Sequence, residues 1–335
     1  MPATMKDIAR LTGLSLATIS KYLNGGHVLP ANQRAIEQAI NQLGYTVNSV
    51  ARSLKTRRSM TIGVLIPHLE NVFSTSIISE LEDKLHQVGY STIICDYHHD
   101  PEMEAEKLDF LAHRQIDGLV MMPLSGCRDA LVKLRERQIP VVLIDRPVEG
   151  LDCDAVLVKN RKASFQAVSR LAEAGHERIA IICGPQGVYT ADERLYGYMD
   201  ALKHYQIKLD EDLVQYGNYD TKSGYVLTAR LLDRQKPPTA VFVTNHEMTY
   251  GSVLAVNERD LLMPKQLSLI GFDHKLLNQV LRPPLAVVTQ PLKQIGQTVA
   301  ELLVHRLTGI NRQEPAIIKY LDAVWHDGGS YGPLS

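Results

Sequence analysis

From Thr61 onward, short apolar runs alternate with segments of helical pattern, and this alternation restricts the fold more than any other feature. The runs fall into two successive groups of four: TIGVLIP, STIICDY, DGLVMMP and PVVLIDRP, then AVLVKN, RIAIICGP, TAVFVTN and LSLIGFD. They are too uniformly apolar for half-exposed strands, which indicates strands buried in parallel sheets. Two consecutive groups of this kind predict an α/β body of two doubly wound parallel-sheet lobes that face each other across a cleft.

The chain is expected to return to the first lobe near its C-terminus, at a last strand, LAVVTQP, and a helix near 291–308. The predicted first lobe covers 60–157 and 290–319, and the predicted second lobe covers 158–289 and 320–335. Ligands of such sheets bind beyond the carboxyl ends of the strands, so residues at strand ends are the candidates for a binding site.

The body lacks the motifs of the common nucleotide-dependent and hydrolytic enzymes. No GxGxxG follows a strand, and neither a Walker loop nor a GxSxG elbow is present. His98 and His99, with His86 and His113 nearby in sequence, suggest a metal, but no ligand spacing recurs. The sequence therefore predicts a protein that is not an enzyme and needs no cofactor or metal.

Charge is distributed unevenly along the 335 residues. Residues 1–60 carry a net charge of +6, whereas the rest of the chain carries −7, so the overall value of −1 hides a basic head on an acidic body. Such a head is typical of a segment that meets a polyanion.

The head has the pattern of a helix-turn-helix unit within residues 1–45. Thr4 and Asp7 have the spacing of a capping box, Gly13 can end the first helix, and Ser15 can cap a second helix, LATISKYLN. The outer face of that helix carries Leu16, Ala17, Ser20 and Lys21. Short side chains with one longer donor suit the major groove of DNA, although a three-helix protein-binding module would show the same helices.

The segments KDIARLTGLSLATISKYLNGG, AIEQAINQLGY and VARSL resemble the DNA-binding head of LacI/GalR-family bacterial transcription regulators. The resemblance extends over nearly the whole chain. It implies that the body is similar to periplasmic binding proteins. It implies that Leu16, Ala17 and Lys21 read bases, although the family more often has Arg where Lys21 stands and a polar cap where Pro30 stands. The residues expected at the DNA are Ser15, Leu16, Ala17, Thr18, Ser20, Lys21, Asn24, Arg52, Leu54 and Lys55.

Residues 46–59 form a predicted hinge linker that contains NSVARSLKTRR. In the family, the matching segment forms a short helix on the operator, and its leucine wedges into the central base step of the minor groove. The resemblance therefore implies that Leu54 is the wedge, while Arg52 and Lys55 lie near phosphates. An apolar wedge unstacks a base step and kinks the duplex.

The resemblance also implies an effector site between the lobes, whose residues hydrogen-bond or stack on a small polar ligand. The implied residues are Phe73, Asp145, Arg194, Tyr219, Asn245, Asp273 and Gln290. His246 and Lys159 stand where the family commonly has Asp. A strongly anionic ligand would meet Asp145 and Asp273 with only Arg194 to compensate, unless His246 or Lys159 turns inward. This favours a neutral sugar.

The resemblance implies a sequence-specific repressor of a carbohydrate-utilisation operon that binds a pseudo-palindromic operator as a homodimer. Its effector is expected to be a sugar. A cytoplasmic location is expected because the N-terminus lacks a signal-peptide pattern, no apolar run is long enough to span a membrane, and the four cysteines lie far apart. Two alternatives stay open at this point: a global catabolite regulator that uses a phosphoprotein corepressor, and, more remotely, a stand-alone sugar-binding protein.

Leu54→Ala should weaken operator binding and reduce DNA bending, because it removes only the apolar wedge from the predicted hinge. A gel or FRET bending assay on the operator measures this effect, and the circular dichroism of the head checks that it stays folded. Bending equal to that of the wild-type protein would contradict the role of Leu54.

Overall fold

The computed structural model describes residues 3–23, 26–45, 58–124, 126–273, 280–309 and 314–333. The chain divides into two compact units, residues 1–60 and 61–335, here called the head and the body. Four residues expected at the DNA lie outside the described ranges: Asn24, Arg52, Leu54 and Lys55.

The described residues of the head form three helices. They are α1 (Met5–Thr12), α2 (Leu16–Leu23) and α3 (Pro30–Leu43). The capping box predicted for α1 is present, since the backbone N–H and the hydroxyl of Thr4 both donate to Asp7 Oδ2, at 2.9 and 2.7 Å. Gly13 ends α1 with a φ of 68°, a left-handed conformation that glycine adopts without steric cost.

The body contains two six-stranded sheets. The strands are β1 (Thr61–Ile66), β2 (Ser91–Asp96), β3 (Gly118–Met121), β4 (Val141–Ile144), β5 (Asp154–Val158), β6 (Ile179–Cys183), β7 (Val214–Tyr216), β8 (Ala240–Val243), β9 (Ser268–Phe272), β10 (Ala286–Thr289), β11 (Ile318–Leu321) and β12 (Val324–His326). The first sheet has the order β11-β5-β4-β3-β1-β2, and the second has the order β12-β10-β9-β8-β6-β7. All the pairings are parallel except that of β10 with β12.

Helices cover the sheets. They are α4 (Val72–Gln87), α5 (Pro101–His113), α6 (Arg128–Glu136), α7 (Asn160–Glu173), α8 (Tyr189–His204), α9 (Thr221–Leu232), α10 (His246–Asn257) and α11 (Leu292–Thr308). The central strands are buried along their whole length, as their apolar composition predicts. β2 differs, because it lies at the edge of its sheet and is only partly buried, so its expected burial was wrong.

The chain crosses between the lobes three times: after β5, between β10 and α11, and between β11 and β12. Two expectations were therefore wrong. AVLVKN supplies β5 of the first sheet rather than a strand of the second, and LAVVTQP supplies β10 of the second sheet rather than a strand of the first. An apolar run indicates a buried strand but does not indicate which sheet the strand joins, because both sheets offer equivalent apolar neighbours.

Helices α9 and α10 approach each other so closely that glycine is required at their contact. A Cβ atom on Gly251 would overlap the carbonyl oxygen of Thr221, and one on Gly224 would overlap backbone atoms of Met248. Because backbone atoms meet at this crossing, the helices cannot accommodate a methyl group by rotating a side chain.

Gly251→Ala should lower the free energy of unfolding by ~1–3 kcal/mol, because the added methyl group forces two packed helices apart. Gly126→Ala is the matched control, since a Cβ there meets no atom within 4 Å, and its effect should stay within about 0.5 kcal/mol. Urea unfolding followed by circular dichroism measures both. Equal stability of the two variants would contradict the close approach.

Candidate functional site

In the head, helix α2 presents short side chains to solvent while its other face forms the core. Ile19 is fully buried in a cluster with Ile8, Ile36 and Ala39. On the opposite side Leu16 is 46% exposed, and the nearby side chains on this face are exposed or half-buried. The residues on this surface are Ser15, Leu16, Ala17, Thr18, Ser20 and Lys21.

Hydrogen bonds cap the start of α2 and fix its position against α3. The Thr18 backbone N–H donates to Ser15 Oγ at 3.1 Å, so Ser15 caps the helix as predicted. The Tyr22 hydroxyl donates to Glu37 Oε1 at 2.7 Å, and the Gln33 side-chain amide donates to the same oxygen at 2.9 Å. These bonds from Gln33 and Tyr22 lower the pKa of Glu37. The surface of α2 is therefore held in a defined orientation within the head.

In the body, polar side chains follow directly after apolar strands of both sheets. Asp145 follows β4 of the first sheet, Asp273 follows β9, and Gln290 follows β10; all three are buried. Asp145 and Asp273 have φ values of 73° and 63°, in the left-handed region that residues other than glycine seldom adopt. Such backbone conformations persist only where the surroundings hold them, and they are frequent at binding sites.

Arg194, on α8, is 4% exposed and is held by the elements around it. Its Nε donates to Asn160 Oδ1 at 2.8 Å, and its Nη1 donates to the Thr244 carbonyl at 2.6 Å. The guanidinium carbon lies 4.0 Å from the centre of the Phe272 ring, a cation–π geometry. Because the N–H donors and the plane of the guanidinium are both constrained, the orientation of this charged group is fixed within the protein itself.

Asp273 and Gln290 form a buried pair. The Gln290 side-chain amide donates to both carboxylate oxygens of Asp273 at 3.1 Å. Burial raises the pKa of Asp273, while Arg194, the bond from Gln290 and His246 act to lower it. Among the described residues, none donates to Gln290 Oε1, although this atom is buried. An acceptor of this kind requires a donor from water or a ligand, since an unpaired buried acceptor is costly.

Arg146 is a residue of this site that the sequence interpretation missed. It lies next to Asp145, and its Nη2 donates to Asp145 Oδ2 at 3.2 Å. Burial acts to lower the pKa of Arg146, but Asp145, Tyr97 and Tyr219 raise it overall. Its Nε is buried without an acceptor among the described residues. The signal was the IDRP segment, where a charged pair directly follows an apolar strand.

Asn245 and Tyr219 are connected to each other. Asn245 Oδ1 accepts the Met248 N–H at 2.9 Å and so caps α10, while its amide donates to the Tyr219 carbonyl at 3.4 Å. Tyr219 packs over Gly184, where a Cβ atom would overlap its ring. Burial is the main cause that raises the pKa of Tyr219, and Arg194 opposes it. Asn245 therefore fixes the start of α10 relative to Tyr219.

The electrostatic interactions show which of the expected residues come together. Arg194 and Asp145 both act on the pKa of Asp273, and together with Arg146 they act on that of Tyr219. The carboxyl ends of the two sheets thus share one cluster of charges. Phe73 is half-buried in the first turn of α4, after β1, and its stacking role stays a prediction.

His246 and Lys159, which stand where the family commonly has Asp, lie in different surroundings. His246 is buried at the start of α10, with Nε2 3.3 Å from Glu247 Oε1. Lys159 pairs with Asp322 at 2.8 Å, next to a crossover between the lobes.

The histidines suggested a metal in the sequence. His98 packs against His68 with ring centroids 5.0 Å apart. The described part of the chain contains no group of three or more side chains able to hold a metal ion.

Comparison with known proteins identifies the chain's relatives. Residues 59–320 match the family of periplasmic binding proteins and sugar-binding domains of the LacI family, and residues 4–48 match the bacterial regulatory proteins of the lacI family. The chain belongs to the LacI family. This LacI-family regulator is 31% identical to the transcriptional repressor PurR of Vibrio atlanticus over 311 residues, which cover 91% of this chain and 92% of PurR.

Two solved structures are also similar. A complex of the transcriptional regulator CelR with cellobiose has a TM-score of 0.74 and 28% identity, covering 98% of this chain and 99% of CelR. A lac repressor dimer bound to operator and the anti-inducer ONPF has a TM-score of 0.87 at 24% identity, with coverage of 98% and 99%. The head and two-lobed body predicted from the sequence are thereby confirmed. Among the described residues, no helix is long and apolar enough to cross a membrane.

Asp273→Asn should stabilise the ligand-free protein at pH 7. Burial raises the pKa of Asp273 in the folded protein above the ordinary value of 3.8. The protonated carboxyl therefore stabilises the folded protein fully below the unfolded pKa, and this stabilisation is lost as pH rises through the folded pKa. The variant should therefore melt above the wild-type protein at pH 7, and the difference should shrink toward pH 4. Differential scanning calorimetry across this range measures it.

Asp200→Asn is the control of opposite sign. Arg161 lowers the pKa of Asp200, so its carboxylate contributes stability that is present above the unfolded pKa and is lost as pH falls. This variant should melt below the wild-type protein at pH 7. An Asp273→Asn variant that also melts below the wild-type protein at pH 7 would show that its carboxylate is not held at a cost.

Proposed function

We propose that this LacI-family regulator is an operator-binding repressor whose DNA affinity is switched by a neutral sugar bound between its two lobes. The observation that carries the proposal is the cluster of buried polar groups at the facing strand ends. Arg146 Nε and Gln290 Oε1 are buried there without partners among the described residues, and they are a donor and an acceptor. A polyhydroxylated ligand offers both kinds of partner, since each hydroxyl donates and accepts.

The charges of the cluster support a neutral ligand. Asp145 and Asp273 are matched by two guanidinium groups, Arg194 and also Arg146, which the sequence interpretation missed. The Asp145–Arg146 pair is formed within the protein at 3.2 Å. Because the site is already neutral overall, a charged ligand would leave one buried charge uncompensated.

The family description and one solved relative agree with this ligand class. The family that matches residues 59–320 includes sugar-binding domains, and CelR is described in complex with cellobiose. We propose that the residues expected from the sequence form the site together with Arg146. They are Phe73, Asp145, Arg194, Tyr219, Asn245, Asp273 and Gln290.

The head supports the DNA-binding half of the proposal. The exposed surface of α2, with Leu16, Ala17 and Lys21, has the size and chemistry of a helix that enters the major groove. The lac repressor structure is described as a dimer on operator. We propose that this chain likewise acts as a homodimer in the cytoplasm, on a pseudo-palindromic operator of a carbohydrate-utilisation operon, and has no enzymatic activity.

The first experiment finds the two ligands. Selection of DNA from a random library with the purified protein gives the operator, which should contain two inverted half-sites. A thermal-shift screen of neutral sugars and sugar phosphates gives the effector, since a ligand at 100 times its dissociation constant adds ~2.7 kcal/mol of stability. Stabilisation by sugar phosphates alone would contradict the neutral-ligand proposal.

Arg194→Lys should weaken effector binding about 10- to 100-fold, because a lysine cannot keep the bonds to Asn160 and Thr244 while it faces the ligand. Calorimetric titration with the identified sugar measures this affinity, and a gel-shift assay should show that the sugar no longer changes operator affinity. Arg234→Lys is the control, because Arg234 pairs with Asp212 on the surface. Wild-type sugar affinity in Arg194→Lys would overturn the site.

A further inference from the structure

Two lysines share one carboxylate at the place where the chain crosses between the lobes. Lys159 Nζ lies 2.8 Å from Asp322 Oδ2, and Lys162 Nζ lies 2.8 Å from Asp322 Oδ1. We call these three residues the crossover clasp. Bonds from both lysines lower the pKa of Asp322 to about 2, so the carboxylate is ionised throughout the physiological range.

The clasp joins segments that belong to different passages of the chain. Lys159 directly follows β5 and precedes α7, so it lies in the first crossover, whereas Asp322 follows β11 and lies in the last. The Lys159 N–H also donates to the Leu321 carbonyl at 2.9 Å, which extends the β5–β11 ladder into both crossovers. Lys162 extends the contact to the first turn of α7.

The first turn of α7 contains Asn160, between the two lysines in sequence. Asn160 is 1% exposed, and its amide donates to the Val158 carbonyl at 3.3 Å. Its Oδ1 accepts the bond from Arg194 Nε at 2.8 Å. One continuous set of contacts therefore runs from Asp322 on the surface through the start of α7 to the guanidinium at the candidate site.

We infer that the crossover clasp is a positioning element for the effector site: it holds the first turn of α7, so that Asn160 directs Arg194 toward the ligand. The inference rests on the proposed function, because it assigns Arg194 to effector binding. Asp322, Lys159 and Lys162 touch no ligand themselves. Their effect is transmitted through Asn160.

The location of the clasp on the surface makes this effect sensitive to salt. The exposed fractions of the side chains are 40% for Lys159, 55% for Lys162 and 54% for Asp322. Dissolved ions screen such pairs, whereas the buried Arg194–Asn160 bond is screened much less. The affinity for a neutral sugar should thus fall as ionic strength rises, although the sugar itself carries no charge.

The test compares Asp322→Asn with the wild-type protein. At 50 mM NaCl the variant should bind the effector about two- to tenfold more weakly, the range that two exposed ion pairs supply. Raising NaCl to 500 mM should weaken binding by the wild-type protein but leave the variant unchanged. Asp322→Glu should restore part of the affinity and its salt dependence, and Asp212→Asn, which breaks the surface pair with Arg234, should match the wild-type protein.

A second measurement needs no effector. The Nε–Hε signal of Arg194 in an NMR spectrum of the ligand-free protein, identified by its loss in Arg194→Lys, reports the bond to Asn160. It should shift in Asp322→Asn and in the double variant Lys159→Met/Lys162→Met, but not in Asp212→Asn. If the signal shifts and no sugar binds the wild-type protein, the clasp stands and the proposed function fails. An unmoved signal in both clasp variants overturns the clasp.

Discussion

The parallel pairing of strands is the constraint on which the rest of this structure depends. Parallel strands need helical connections on both faces of the sheet, so the strands become apolar throughout and polar residues are confined to their ends. The carboxyl ends of the parallel strands of one sheet lie along the same edge. Asp145 and Asp273 each follow such an apolar strand, in different sheets, and they act on one another electrostatically.

This confinement explains why the site holds buried charge at some cost to stability. Burial raises the pKa of Asp273, and Gln290, Arg194 and His246 offset only part of the penalty. The left-handed backbone at Asp145 and Asp273 is a second cost of the same kind. If these groups bind the proposed effector, they lose little conformational freedom on binding because they are already held in place, which is the advantage of a preorganised site.

The organisation of the chain could be read from its sequence wherever the signal was local. The capping box at Thr4, the cap at Ser15 and the alternation of strands and helices each involve residues close together in the chain, and each was confirmed. The errors concern strands whose place depends on distant partners. β2 was expected to be buried but lies at an edge, and β10 was assigned to the wrong sheet. An apolar run does not indicate which strands will pair with it.

The sequence by itself determined the family, the two-lobed architecture and the strand ends at which polar side chains collect, because apolar periodicity and motif spacing are properties of short segments. Only the tertiary structure decided which of those side chains form pairs. Arg146 with Asp145 at the cleft, Asn160 with Arg194 behind it and Asp322 with Lys159 at the crossover could not be assigned from the sequence. Two of these pairs join residues far apart in the chain, and the third depends on burial; both conditions are set by the packing of the sheets.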